Sequence, residues 1–317
     1  MPSRREFLAG ALATVAVACT GGKKGGGPTA LPSGAVSIDS LTRGAQQLSL
    51  LGVGPGALGG SRDDAIQRGS PVLTFDLALA QQLIEGGTPQ VYVAQDPAGR
   101  AFGPFSGSWQ AFTGYEKTHD RSPKSPIPGV YAATVRLPTE GLWTIAVVGP
   151  GGRAQGVGVT HAYVGDHVLA AVGTRATSVK TPVATTEHGL REICTRQPPC
   201  PMHALSLDDA LGSGKPTVAV FSTPLLCESR LCGPVTDEAI LVSQEVGGRR
   251  ANFLHIEEFL PGPDLKPDAG TLSPAFRAWG FVTEPWTIVI DRKGFIRQRF
   301  EGSVTADVID ATLRPLL

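Results

Sequence analysis

Four cysteines give this chain most of the chemistry it can do beyond its first residues. Cys227 and Cys232 stand five positions apart in FSTPLLCESRLCGPVTDEAI (221–240), directly after an apolar run. Such a pair can exchange disulfides through a thiolate, clamp a soft metal ion, or simply pack. Cys194 and Cys200 lie in TPVATTEHGLREICTRQPPCPMH, with His188 and His203 in the same segment. Five residues separate these cysteines, two of them prolines, so an oxidising compartment would close the loop as a structural Cys194–Cys200 disulfide. Cys-x5-Cys-x2-His can instead hold zinc or copper, and two free thiols can relay electrons.

What Cys227 and Cys232 can do depends on where a helix begins. Were Cys227 its first residue, Cys232 would sit about 140° around and about 7.5 Å along the axis, a Cα separation near ~8.6 Å. That exceeds the roughly 7 Å span of a disulfide. A helix starting at Pro234, whose missing N–H costs nothing there, leaves CESRLC as an irregular loop in which the sulfurs can meet. Asp237 and Glu238 would then suit the positive first turn. We therefore expect a helix from Pro234 to about Val246.

The chain opens with MPSRREFLAGALATVAVAC, a positive start and a short apolar stretch from Leu8 to Ala18 that is too brief to span a bilayer. Ser3-Arg4-Arg5-Glu6-Phe7-Leu8 resembles the Ser-Arg-Arg-x-Phe-Leu consensus of twin-arginine export signals, and Ala16-Val17-Ala18-Cys19 resembles a lipoprotein cleavage box with Ala16 where Leu is preferred. The resemblance implies export, lipidation of Cys19, and a place at the outer face of the cytoplasmic membrane. Residues 1–19 are then signal and lipobox, and the Gly-rich residues 20–39 a flexible tether.

About 275 residues follow, room for two domains. The 28 basic and 28 acidic residues of the 317 balance, which leaves no nucleic-acid footprint. Gly (40) and Pro (26) make up about a fifth of the chain and favour strands and loops. From 40 to 170, PVLTFDLAL, VYVAQ, VYAATVRL, LWTIAVVG and AQGVGVTHAYVG read as half-buried strands with no helix between them, the mark of an antiparallel β-sandwich. GVYAATVRLPTEGLWTIAVVG resembles the closing hairpin of immunoglobulin-like domains in bacterial envelope proteins. His119, His161 and His167 lie in separate segments with no metal-ligand spacing, and we expect them to be surface or core residues. Residues 171–205 read as a linker carrying Cys194 and Cys200.

Residues 206–317 change rhythm. Ser206 caps a helix, GKPTVAVFST is a buried strand, NFLHIEEF is another, SPAFRAWG is a short helix, PWTIVIDRKGFIRQRFEG is two strands joined at Asp291–Gly294, and TADVIDATLRPLL is an amphipathic helix. The order β-α-β-α-β-β-α is the thioredoxin-like arrangement. Cys232-Gly233-Pro234 matches the first three residues of the thioredoxin Cys-Gly-Pro-Cys motif, although Val235 replaces its second cysteine and Cys227 lies upstream. GFVTEPWTIVIDRKGFI resembles the segment in which a cis proline, here Pro285, lies against the active cysteines. The resemblance implies an α/β thioredoxin-like domain in which Cys232, at the helix N-terminus, is the nucleophile and Cys227 resolves. Arg230 would add favourable charge, and Glu284 would oppose it or carry protons.

The chemistry expected is thiol-disulfide exchange with protein thiols or disulfides of the envelope, without a cofactor. Four alternatives stand beside it. The pair can be a purely structural disulfide. Thr223-Pro224 ahead of Cys227 is similar to a peroxiredoxin motif one residue shorter. Cys227 and Cys232 with His255 resemble the ligand set of thioredoxin-like copper chaperones, whose cysteines are one residue closer. The fold can also serve only to bind a partner.

Overall fold

The computed structural model describes residues 36–52, 65–114, 128–227, 231–261 and 267–317. Arg4, Arg5, Cys19, most of the tether, His119 and Arg230 lie outside them. Among the described residues no helix is long and apolar enough to cross a membrane.

The N-terminal half starts with α1 (Ile38–Thr42), set by a capping box between Ser37 and Ser40. Ten strands follow: β1 (Gln47–Leu51), β2 (Ile66–Gln67), β3 (Val72–Leu79), β4 (Gln82–Leu83), β5 (Gln90–Ala94), β6 (Phe102–Ser106), β7 (Ser108–Ala111), β8 (Gly129–Thr134), β9 (Gly141–Val148) and β10 (Val157–Gly165). They form one hydrogen-bonded path, β6-β5-β9-β10-β1-β3-β8-β7, with β2 on β10 and β4 on β3. β1 is the corner of that path: Gln47 and Leu48 pair parallel with β10, then Ser49 to Leu51 pair antiparallel with β3. The two arms share one core, with Val91, Trp143 and Ile145 from one and Leu73, Phe75 and Tyr131 from the other. Two expectations change here. Both β1 and β2 pair parallel with β10, so the strands are not all antiparallel. β8 and β9 do not form a hairpin: β8 pairs with β3 and β7, and β9 with β5 and β10. Tyr131 and Trp143 both seek the same core, and the connection through Leu137 carries the chain from one arm to the other.

The C-terminal half contains α2 (Glu187–Ile193), α3 (Leu207–Gly212), β11 (Thr217–Phe221), α4 (Cys232–Val246), β12 (Asn252–Ile256), β13 (Phe259–Pro261), β14 (Pro267–Leu272), α5 (Pro274–Trp279), β15 (Trp286–Ile290), β16 (Ile296–Glu301) and α6 (Ala306–Leu313). A four-stranded sheet runs β12-β11-β15-β16, with β12 parallel to β11 and the other pairs antiparallel. β11 is buried at every position because both of its faces are covered. Val218 and Val220 meet α4 and α6, and Ala219 and Phe221 meet α3 and α5. This three-layer order, with its cis Glu284–Pro285 bond, is the thioredoxin-like arrangement; β13 and β14 add a hairpin to it. α4 begins at Cys232, two residues before the expected Pro234, so Asp237 and Glu238 fall in its second turn.

The halves are fused through apolar and polar contacts. Phe112 and Val130 of the strand-rich half belong to the same apolar cluster as Val235, Ala239 and Ile309. Glu238, buried on α4, accepts N–H groups from Thr113 at 2.6 Å and from Gly114 on one oxygen, and from Ala306 at 2.7 Å on the other. Arg299 donates to the carbonyls of Ala65 and Leu169. Residues 194–203, expected to lie in a linker, are built into the C-terminal core: Cys194, Cys200 and Met202 pack in the α4 and α6 cluster. The Arg196 guanidinium reaches Asp237 on α4 at 2.6 Å.

Candidate functional site

β11 delivers the chain to the first cysteine pair. Beyond Phe221, the Ser222 hydroxyl meets that of Thr236 on α4 at 2.8 Å, and the loop then carries Cys227 to the start of that helix. The first turn of a helix has unpaired N–H groups that point out of its end. Here the Cys232 N–H donates to Cys227 Sγ at 3.2 Å. Cys227 is half-buried, whereas Cys232 is fully buried. A Glu284 carboxylate oxygen and the two sulfurs all lie within 4.8 Å of one another. No S–S bond joins any of the four described cysteines.

The electrostatics separate these groups. Burial pushes the Cys232 thiol well above its ordinary range, and the hydrogen bond to the Cys227 sulfur and the charge of Glu284 push it the same way. The Thr223 backbone N–H works against them. The Glu284 carboxyl is raised to about 9, first by burial and then by Glu258 and Cys227, so it holds its proton at neutral pH. Its Oε2 is buried without a hydrogen-bond partner.

The second cluster lies beside the same strand end. α2 leads into Cys194, whose N–H closes the helix on Leu190 O. The chain then lies along the free edge of β12, where the His255 N–H donates to Met202 O at 2.8 Å. That contact covers an otherwise unpaired sheet edge. It also brings Cys194 and Cys200, 3.9 Å apart at sulfur, against His255, whose Nδ1 is 3.7 Å from the first and 3.3 Å from the second. The His203 and His255 rings meet at a tilt of 52°, with centroids 4.9 Å apart. Glu257 closes the far side, accepting from the Thr195 N–H at 2.7 Å and from its hydroxyl at 2.9 Å.

Charge is shared unevenly in this cluster. The Cys200 hydrogen bond holds the Cys194 thiol far below its ordinary range, helped by both imidazoles against burial. Burial and the adjacent Cys194 sulfur push Cys200 up. Burial also pulls His255 down, but Glu257 and Cys194 outweigh it and bring the imidazole up to about 9.

Several expectations change at these sites. Cys227 and Cys232 do meet at the start of a helix, but the fully buried sulfur is Cys232, the expected nucleophile. The Cys194–Cys200 disulfide is not formed; its two sulfurs stay 3.9 Å apart with an imidazole nitrogen beside both. His255 joins that pair and not Cys227 and Cys232, which removes the proposed copper-ligand trio. The buried Thr223 hydroxyl accepts the Glu258 N–H at 2.7 Å. His161 bonds to Thr144 and His188 pairs with Glu192, and among the described residues neither they nor His167 join a cluster of metal-ligand type. Glu257, Glu258 and Arg196 were not foreseen as site residues. A histidine within the buried strand β12 and two adjacent carboxylates directly after it were the available signal.

No protein-family model and no curated protein matches the chain. Among solved structures it is similar to a thiol-disulfide isomerase from Corynebacterium glutamicum, 18% identical over 44% of this chain and 95% of that one, with a TM-score of 0.31. It is also similar to a thiol:disulfide interchange protein of the thioredoxin family from Chlorobium tepidum TLS, 19% identical over 44% of this chain and 99% of that one, with a TM-score of 0.28.

Proposed function

We propose that this chain is an exported thiol-disulfide oxidoreductase in which Cys227 attacks and Cys232 resolves, the reverse of the order expected from sequence. The observation that carries this reading is the unequal exposure of two hydrogen-bonded cysteines: Cys227 reaches the surface and receives the Cys232 N–H, while Cys232 is sealed behind it. The Cys227 thiolate attacks one sulfur of a protein disulfide, and the departing thiolate takes the Glu284 proton. The Glu284 carboxylate then accepts the Cys232 proton as that sulfur attacks Cys227 and expels the second substrate thiolate. Two electrons pass to the substrate, and the protein is left with a Cys227–Cys232 disulfide; the reverse sequence oxidises a dithiol. Pro285 follows Glu284 directly and fixes the backbone on that side, its carbonyl accepting the Gly302 N–H at 2.8 Å. Leu225 and Val282, 57% and 59% exposed and each two residues before a site residue, offer apolar contact to a polypeptide substrate.

The Arg4-Arg5 motif and the box ending at Cys19 support export and lipid anchoring at the outer face of the cytoplasmic membrane. We read the strand-rich half as an immunoglobulin-like module that braces α4. Trapping tests the reading. With a disulfide-bonded test protein such as insulin, Cys232→Ser should accumulate a mixed disulfide that peptide mapping places on Cys227, and Cys227→Ser should accumulate none. Adducts on Cys232 in the Cys227→Ser protein, or no exchange by the unaltered protein, would overturn it. Cys19→Ala should release the protein from membranes in cell fractionation.

A further inference from the structure

Cys194, Cys200, His203 and His255 have no role in that exchange. They are only 4%, 0%, 3% and 3% exposed, so no protein disulfide can reach them. Their ligand atoms nevertheless converge within 4.8 Å of one another. Burying two thiols and two imidazoles is costly unless each polar atom finds a partner, and His203 Nε2 has none.

The spacing is that of a coordination shell. With Zn–S near ~2.3 Å and Zn–N near ~2.05 Å, tetrahedral geometry sets S···S at about 3.8 Å and S···N at about 3.6 Å. The sulfurs are 3.9 Å apart, and His255 Nδ1 is 3.7 and 3.3 Å from them. His255 is oriented as a ligand: its Nε2–H donates to Ser222 O at 3.1 Å, which turns Nδ1 toward both sulfurs, where a metal ion would take the place of its proton. Metal-bound imidazoles have their second nitrogen fixed in this way by a carbonyl or carboxylate. Glu257 Oε1, 3.5 Å from the same Nε2, is the supporting carboxylate. A cavity of about 20 Å³, bordered by Lys180, Ile193, His203, His255 and Glu257, adjoins the two imidazoles.

Charge chooses the ion. Two thiolates and two neutral imidazoles cancel a divalent cation, but around monovalent copper they would leave net negative charge buried next to Glu257. A tetrahedral set of two sulfurs and two nitrogens with no open position suits structural zinc.

We propose that Cys194, Cys200, His203 and His255 form a closed zinc site that locks residues 194–203 onto the edge of β12. Loading forms two Zn–S and two Zn–N bonds and releases two protons to solvent from the Cys194, Cys200 and His255 group, with no change of oxidation state. The test uses the reduced, chelator-stripped full chain titrated with cobalt(II). One equivalent should give the visible absorption of tetrahedral cobalt with thiolate charge transfer, and zinc should bleach it. Cys227→Ser/Cys232→Ser should keep this spectrum, and Cys194→Ser/Cys200→Ser should lose it. His203→Gln should weaken zinc binding by more than the roughly 10- to 100-fold typical of supporting residues. If the Cys194 and Cys200 variant fails to fold, the spectra of the unaltered chain and of Cys227→Ser/Cys232→Ser still decide. The proposal is overturned by no binding at one equivalent, by a spectrum that needs Cys227 and Cys232, by copper(I) binding without zinc binding, or by a Cys194–Cys200 disulfide in peptide maps of the native protein.

Discussion

Replacing Glu284 with Gln should remove part of the protein's loss of stability as pH rises. The carboxyl has a folded-state value of about 9 against an ordinary 4.5, raised by burial and by Glu258, Cys227 and Glu257 around it. Below about 4.5 both folded and unfolded chains hold this proton, and the group has no effect. Between about 4.5 and 9 only the folded chain holds it, so stability falls by about 1.4 kcal/mol for each pH unit. From pH 5.5 to 8.5 that is at most ~4 kcal/mol; the carboxyl keeps some exposure, and solvent screening reduces the figure to about 2 kcal/mol. Gln keeps the size and the carbonyl but cannot ionise. Urea unfolding of the reduced proteins at the two pH values is the assay. With a slope near ~3 kcal/mol per molar urea, the midpoint of Glu284→Gln should drop by roughly 0.7 M less than that of the unaltered protein. Equal drops would refute the reasoning, because they would mean that Glu284 already ionises freely in the folded chain.

The Arg196–Asp237 pair is buried at 5% and 1% side-chain exposure, so Arg196→Met, which leaves a carboxylate behind, should cost about 3–5 kcal/mol in urea unfolding. Arg196→Met/Asp237→Leu should recover most of that loss, and additive single effects would show that the two groups are not coupled. Glu238→Ala withdraws the acceptor from three backbone N–H groups and should cost about 3 kcal/mol or more, with faster proteolysis at the contact between the strand-rich half and α4. Phe221→Ala empties the centre of a ring cluster formed with Phe276, Trp279 and Phe281, and should cost about 3–5 kcal/mol in the same assay.

What the sequence made legible was mostly local. The continuous apolar run at 217–221 and the alternation at 72–79 and 141–148 mark strands because burial on two faces or one dictates those patterns. The cis Pro285 bond and the helix after the Cys227 loop were legible from motif residues. The roles of the two sulfurs were not. A helix terminus does offer N–H groups, but they point out of the helix toward the preceding loop and so serve Cys227, while the side chain of Cys232 enters the body of the fold. His255 stands 61 residues from Cys194, and only the docking of residues 201–203 on the β12 edge brings them together. β1 was missed because it is five residues long and divides them between two partners, so neither pairing leaves a periodic trace.

The placement of Phe112 and Val130 in the cluster under α4 and α6 affects how the molecule can be divided. A fragment cut near residue 206 would present bare apolar surface where those two side chains belong, and it should clump or stay half-formed in solution. Recombination would meet the same obstacle: grafting the C-terminal half onto a foreign neighbour requires a substitute wall. The two halves have to be exchanged together, as a single heritable block.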